Sequence, residues 1–283
     1  MFPKLIEFLY KTKNMVKVEI LAIGNELLIG DVLDTNTNWI IKKITGMGGQ
    51  VSRSVILRDN LDAIATEIQW ALQRKTEVIF TIGGMGPTVD DMTLEAIAQG
   101  INRPLAENKA ALTFVNQKYQ EFAKKGYVDD AKMTPARGKM GILPTGSIPI
   151  DNPVGGAPAV ISKVKESIII SLPGVPRELK EIFDNSLQPI LKEKFGENFF
   201  LEKVVIIDNK DESFITPILN AVSQKNPQIY IKSRAKKFDI DRTCAGTLYI
   251  AYCRHKILHT IISFFSDRYY FEYIFKQGYK ILN

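Results

Sequence analysis

A chain of 283 residues, 45% hydrophobic and 24% charged, is long enough for one large domain or two modest ones with cores of their own, and nothing in its composition suggests disorder. The formal charge of +6 arises entirely in residues 232 to 283, where ten Lys or Arg meet four Asp or Glu, so residues 1 to 231 are balanced and lack the basic face that a nucleic acid requires. Two cysteines, Cys244 and Cys253, lie without CxxC spacing, which argues against a disulfide framework or a zinc site and fits a reducing compartment.

The opening "MFPKLIEFLYKTKN" is a short apolar run between lysines, too short to span a bilayer and without a small-residue cleavage site. Residues 1 to 15 are therefore set apart as an N-terminal extension ending at Met15, and a cytoplasmic location is expected. "VKVEILAIG" (16 to 24) has the Val and Ile content of a buried strand ended by glycine. Asp34 or Thr35 is placed to cap a helix through "NTNWIIKKITGM", closed by Gly48 and Gly49. "QVSRSVIL" (50 to 57) is the next strand, and Asn60 caps a helix with Ile64, Ile68 and Leu72 on one face. "EVIFTIG" (77 to 83) is a third strand, leading to a helix from near Asp91 to Gln99. A polar helix is expected over 106 to 125.

"TPARGKMGILPTGSIPIDNPVGGAP" is dense in Gly and Pro, and its sequence leaves open whether it is a binding loop or only a connection. "PAVISKVKESIIISLPG" reads as a hairpin turning near Lys165, and "VPRELKEIFDNSLQPILKEKF" as a helix. A smaller β-α-β segment follows in "FFLEKVVII", a helix over 213 to 224 and "QIYIKS", with "GTLYIAYC" as a further strand. Strands alternating with helices predict an α/β fold with a mostly parallel sheet covered on both faces. The expected division is a domain over 16 to 197, a small α+β domain over 198 to 254 and an aromatic-rich tail over 255 to 283. That tail holds both histidines, His255 and His259, whose i, i+4 spacing lacks a third ligand and is read as incidental.

Three glycine-bearing strand exits carry the chemistry, because ligands of such sheets bind beyond the carboxyl ends of the strands. The first, "IGNELLIGDVLDTN", supplies Glu26, Asp31 and Asp34. The second, "TIGGMGPTVDDMT", puts Gly83, Gly84 and Gly86 ahead of Thr88, Asp90, Asp91 and Thr93. Glycine N–H groups suit a bound anion, whereas two adjacent carboxylates would repel it unless a cation lies between them. The third, "LPGVPRELKE", sets Pro173 and Gly174 ahead of a helix with Pro176 in its first turn and Arg177 and Glu178 behind. Taken singly, an acidic surface with a helix cap, or a tight turn before a helix, explains the first and third.

"GNELLIGDVLDTNTNWI", "GGMGPTVDDMTLEA" and "LPGVPREL" resemble, in order and spacing from Val16 to Ile231, the amino-terminal domain of CinA-type competence/damage-inducible proteins, a branch of the MoaB, MogA and MoeA superfamily. The resemblance implies a three-layer α/β/α molybdopterin-binding fold with a homo-oligomeric habit. For the CinA branch it implies metal-dependent hydrolysis of ADP-ribose-type pyrophosphates. It places Gly83, Gly84, Gly86, Asp91 and Thr93 on the superfamily's second motif, with Pro87, Thr88 and Asp90 belonging to the CinA variant. Glu26, Asp34 and Asn36 fall where relatives turn acidic and amide groups toward the ligand. The nicotinamide-mononucleotide deamidase domain that usually follows in CinA proteins has no counterpart in the residues after Ile231, and no deamidase activity is expected.

The catalytic set expected is Asp90, Asp91 and Glu26, with Asp90 and Asp91, joined by Glu26 or Asp34, holding Mg²⁺ or a similar divalent ion. Gly24, Asn25, Asp34, Asn36, Gly83, Gly84, Gly86, Pro87, Thr88, Thr93, Lys139, Gly174 and Pro176 are expected to bind substrate, with Lys139 or Arg137 neutralising a second phosphate. The partner is a small nucleotide or pterin phosphate, with neither nucleic acid nor membrane expected. Two other readings use the same residues: molybdopterin binding or adenylyl transfer as in MogA-like relatives, and a non-catalytic scaffold.

Overall fold

The computed structural model describes residues 15–196, 200–208, 213, 216–225, 229–235, 245–253 and 280–282. The described residues fall into two compact units, one of residues up to 45 and from 49 to 196, the other of residues 46–48 and those from 197 onward. Residues 1–14, both histidines, Cys244 and the tail apart from residues 280–282 lie outside the described residues.

In the first unit β1 (Lys17–Ile23), β2 (Gln50–Leu57), β3 (Val78–Ile82) and β8 (Ser167–Leu172) run parallel, in the order β2-β1-β3-β8, and the antiparallel β7 (Ala159–Val164) and β6 (Ile148–Ile150) extend the edge. Helices α2 (Thr35–Gly46), α3 (Leu61–Gln73), α4 (Thr93–Gly100) and α5 (Lys109–Lys124) connect or cover them, which is the expected α/β/α architecture. The apolar strands form its core. Leu21, Ile79 and Ile169 are fully buried against Ile64, Ile68 and Ile97 of α3 and α4, each such side chain contributing about 1.5–3 kcal/mol of transfer free energy.

Local chemistry explains the element ends. Asn60 accepts the Ala63 N–H at the start of α3, and Asp34 Oδ1 accepts the Thr37 N–H at the start of α2. α4 begins at Thr93, two residues past Asp91, because Thr88 to Asp91 close a turn of their own: Asp91 N–H donates to the Thr88 carbonyl at 3.3 Å, and Asp91 Oδ2 accepts the Thr88 N–H at 2.9 Å. A short α1 (Asn25–Leu28), absent from the sequence reading, follows β1.

The Gly/Pro-rich stretch is more ordered than its composition suggests. It contains α6 (Pro135–Lys139), capped by Thr134 Oγ1 and opened by proline, and β5 (Ile142–Pro144), which pairs with β4 (Leu105–Glu107). The hairpin of β7 and β8 turns at Lys165, φ 52°. α7 (Pro176–Ile182) and α8 (Gln188–Phe195) are joined by a π-helical turn over Phe183–Leu187.

In the second unit β9 (Phe200–Asp208), β10 (Ile229–Ala235), β11 (Ala245–Cys253) and β12 (Lys280–Leu282) form an antiparallel sheet ordered β10-β11-β9-β12, with α9 (Thr216–Lys225) between β9 and β10 in sequence. The expected β-α-β unit is present, with its two strands parallel to each other because both run antiparallel to β11. β9 and β10 are not neighbours; β11 lies between them, pairing with both over seven or more residues.

Candidate functional site

The register places Ala22 opposite Ile82 and Ile82 opposite Leu172, so the exits of β1, β3 and β8 end at one level on one edge of the sheet. The chain cannot leave β3 with a side chain. Gly83 has φ 101°, and a Cβ there would lie 2.2 Å from the Ile23 carbonyl oxygen, so the exits of β1 and β3 touch through backbone alone. Beyond the three exits lies a cleft of about 380 Å³.

Thr93 and Met85 hold the second exit in shape. Thr93 is fully buried; its Oγ1 donates to the Gly83 carbonyl at 2.8 Å and its N–H to the Gly84 carbonyl at 3.0 Å. Met85 is buried in a second apolar cluster with Val115, Met140 and Leu143. With those carbonyls turned inward, the N–H groups of Gly84, Met85 and Gly86 have no protein acceptor among the described residues. The expected glycine cradle is therefore narrower: Gly83 N–H donates to the Leu172 carbonyl and Gly24 N–H to the Leu57 carbonyl, which removes both as anion donors.

Thr88 organises the acidic pair. Its single hydroxyl proton is shared between Asp90 Oδ1 and, at 2.6 Å, Asp91 Oδ2. The Thr88 hydroxyl, followed by a backbone hydrogen bond and the nearby Lys139 charge, holds Asp90 below the usual carboxylate range. Lys139 Nζ donates to the Thr88 carbonyl and lines a side pocket of about 220 Å³ that shares Gly84, Met85, Gly86 and Asp91 with the cleft.

The sequence matches the family described as "Probable molybdopterin binding domain" over residues 19–193. The chain belongs to this family. A protein of Pyrobaculum arsenaticum is 39% identical over 221 residues, covering 78% of this chain and 80% of its own, and one of Pyrococcus abyssi is 37% identical over 210 residues, covering 74% and 82%. The crystal structure of the protein CinA of Thermoplasma acidophilum, of unknown function, superposes with a TM-score of 0.55 at 34% identity, over 62% of this chain and 98% of that one. The CinA-type resemblance of the three motifs and the three-layer fold thus both hold for this molybdopterin-binding-type domain.

Of the residues expected from sequence, Gly24, Glu26, Gly83, Gly84, Gly86, Pro87, Asp90, Asp91 and Gly174 line the cleft of this domain. The others do different work. Asp34 caps α2, and Asn36, buried one residue into that helix, donates from Nδ2 to the Gly174 carbonyl at 2.6 Å, bracing the third exit from behind. Asn25 gives its N–H to Asp59 Oδ2 at 2.8 Å, and Pro176 occupies the first turn of α7. Thr88 and Thr93 act on the loop as described. Arg137 stacks 4.0 Å from the Tyr119 ring and donates to Asp130 and the Lys132 carbonyl, so it is committed to the fold.

Asp34 does not join the acidic pair, and among the described residues no three His, Cys, Asp or Glu come together as a metal-holding group. Residues that sequence reading missed are Asp59, Tyr119 and the carboxyl function of Glu178, all facing the cleft. Asp59 follows β2, whose exit ends without glycine, and Tyr119 sits mid-helix on α5; neither carries a local signal. Glu178 was visible as a first-turn residue of α7 but not as a half-buried acid.

Proposed function

We propose that this cleft hydrolyses a nucleotide pyrophosphate of the ADP-ribose type with the help of a divalent cation, Mg²⁺ or similar. The observation that carries it is the charge of the lining: Glu26, Asp59, Asp90, Asp91 and Glu178 face the cleft, and among the described residues no Lys, Arg or His does. A diphosphate meeting five carboxyl groups is repelled unless a cation accompanies it. Two adjacent carboxylates without a third protein ligand suit a hard ion that completes its shell with phosphate oxygens and water, as Mg²⁺ does, better than an all-protein cage. Asp90 and Asp91 would hold it, and once bound it supplies neutralising charge and a more acidic water.

The chain's own groups do the rest. Thr88 binds Asp91 Oδ2 from both its N–H and its hydroxyl, which leaves Oδ1 as the free acceptor and fixes its direction. The free N–H groups of Gly84, Met85 and Gly86 donate to phosphate oxygens as charge builds at phosphorus. Glu26, exposed at the rim, takes the proton of the attacking water. Water adds to one phosphorus, the P–O–P bridge breaks, and two monophosphates leave. Lys139, beside Asp91 in the side pocket, neutralises the second phosphate.

The family's description, a probable molybdopterin binding domain, supports a second reading, a pterin phosphate bound in the same cleft, to which the MogA-like resemblance adds adenylyl transfer. Incubation with ADP-ribose, and separately with ATP, each with Mg²⁺ or with EDTA, discriminates. The expected products are AMP and ribose 5-phosphate from ADP-ribose with the metal only, with ATP unchanged; splitting of ATP with ADP-ribose intact would favour the second reading.

A further inference from the structure

Two spaces of opposite character meet at the Gly84–Gly86 loop, and the chemistry of the diphosphate assigns neither end of the substrate to either. Gly84, Met85, Gly86 and Asp91 line both the acidic cleft and the side pocket, so a ligand held on that loop by its phosphates reaches into both. Beyond the shared loop the side pocket is apolar. Leu94 of α4, Leu105 of β4 and Ile142 of β5 face it and not the cleft; Lys139 supplies a cation, and the one acid besides Asp91 is Glu95, exposed in the first turn of α4. Its volume of about 220 Å³ falls below the roughly 300–1,000 Å³ of a pocket that encloses a whole ligand. It therefore fits one end of a larger molecule.

The cleft, away from the paired aspartates, has the converse lining. Asp59 and Glu178 both face it, and each has one oxygen anchored by the protein: Asp59 Oδ2 accepts the Asn25 N–H at 2.8 Å, and Glu178 Oε2 accepts Nδ2 of buried Asn152 at 2.7 Å. The second oxygen of each has no protein partner among the described residues. Ionised carboxyl groups accept hydrogen bonds and donate none, so two fixed acceptors side by side in one cleft suit a group rich in hydroxyl donors.

We infer that the two ends of the nucleotide pyrophosphate part at this loop: the heterocycle enters the side pocket, with its own phosphate beside Lys139, and the sugar phosphate end lies in the cleft, its hydroxyls donating to Asp59 and Glu178. The inference rests on the pyrophosphate function proposed above and adds the direction in which the substrate lies. The opposite direction leaves both ends poorly served. A sugar in the side pocket would set its hydroxyls against Leu94, Leu105 and Ile142 with little besides Glu95 to accept them, and a ring in the cleft would cover the free oxygens of Asp59 and Glu178 with few donors.

Calorimetric titration of the full chain with AMP and with ribose 5-phosphate, in Mg²⁺, tests the direction. The two products should bind together. Protein held in ribose 5-phosphate at about a hundredfold its Kd should lose less than about tenfold in AMP affinity, whereas competition for one place would cost about a hundredfold. Leu105→Trp fills the side pocket from the exposed three-residue strand β4, and it should weaken AMP by about tenfold or more and ribose 5-phosphate by less than about threefold. Glu178→Ala should do the reverse. Mutual exclusion on the parent, a Leu105→Trp protein that keeps its AMP affinity, or a parent that binds neither product would overturn the direction. Joint binding of the products by a chain that leaves ADP-ribose uncleaved would remove the hydrolase reading and keep the two subsites. The competition on the parent stands whatever the substitutions do to folding.

Discussion

Asp91→Asn is expected to lower metal-dependent hydrolysis of ADP-ribose by on the order of a hundredfold or more, with little change in stability. Asp91 Oδ2 receives both the N–H and the hydroxyl of Thr88, and an asparagine carbonyl oxygen in its place receives the same two donors, so the turn before α4 survives. What changes is the other position. The free Oδ1 becomes an NH₂ group, which can neither ligate a hard cation nor carry negative charge. Steady-state kinetics across a Mg²⁺ series, beside urea unfolding of both proteins, separate a lost site from a lost fold. Wild-type turnover in a folded Asp91→Asn protein would remove Asp91 from the mechanism.

Arg74→Ala is expected to produce the largest loss of stability, about 3 kcal/mol or more, while leaving the cleft chemistry intact. Arg74 lies at the opposite end of the sheet from the cleft. Its Nη2 donates to Glu19 Oε2 at 2.6 Å and to Glu67 Oε1 at 2.6 Å, and Nε donates to Glu19 as well. Glu19 is 1% exposed inside β1, with Thr76 Oγ1 as its other partner at 2.5 Å. Burial alone would raise the Glu19 carboxyl, but the hydrogen bonds from Arg74 and Thr76 outweigh it and the net shift is downward. Hydrogen bonding to Glu19, opposed by burial, correspondingly raises Arg74.

A carboxyl lowered on folding adds stability above its ordinary value of 4.5 and loses it as the pH falls through the folded value. Removing Arg74 leaves a buried carboxylate beside Glu67, now paired only with exposed Arg53. The variant should therefore be most destabilised near neutrality and approach the parent in acid, where Glu19 is protonated. Urea unfolding at several pH values measures this. A loss independent of pH would assign the effect to packing of the arginine stem.

The three exits were legible because each requirement falls on adjacent residues. Gly83 cannot carry a Cβ against the Ile23 carbonyl, and the aspartates follow within the same turn, so a single strand-to-helix junction records both glycine floor and acid pair. That these exits share one edge follows from the parallel direction expected of alternating strands and helices; the strand order β1-β3-β8 had no signal in the sequence. The rest depended on contacts distant in sequence. Asn36 braces Gly174 from 138 residues away, and Asn152 aims Glu178 from 26, so neither role leaves a local pattern. Asp34 was misplaced for a related reason: a cap and a metal ligand draw on the same residue type just before a helix. The Gly/Pro-rich stretch concealed a wall of the cleft because Met140, Gly156 and Ala157 acquire their place only when β5 pairs with β4 and β7 with β8.

Calorimetric titration of the parent chain with ADP-ribose, at low temperature and short contact time, in Mg²⁺ and then in EDTA, bears most directly on the acidic lining. An anion facing five carboxyl groups should bind at least about a hundredfold more tightly with the metal, a difference of about 2.7 kcal/mol. Equal affinity in EDTA would mean that the backbone N–H groups and Lys139 hold the diphosphate unaided, and the paired aspartates would then need another explanation.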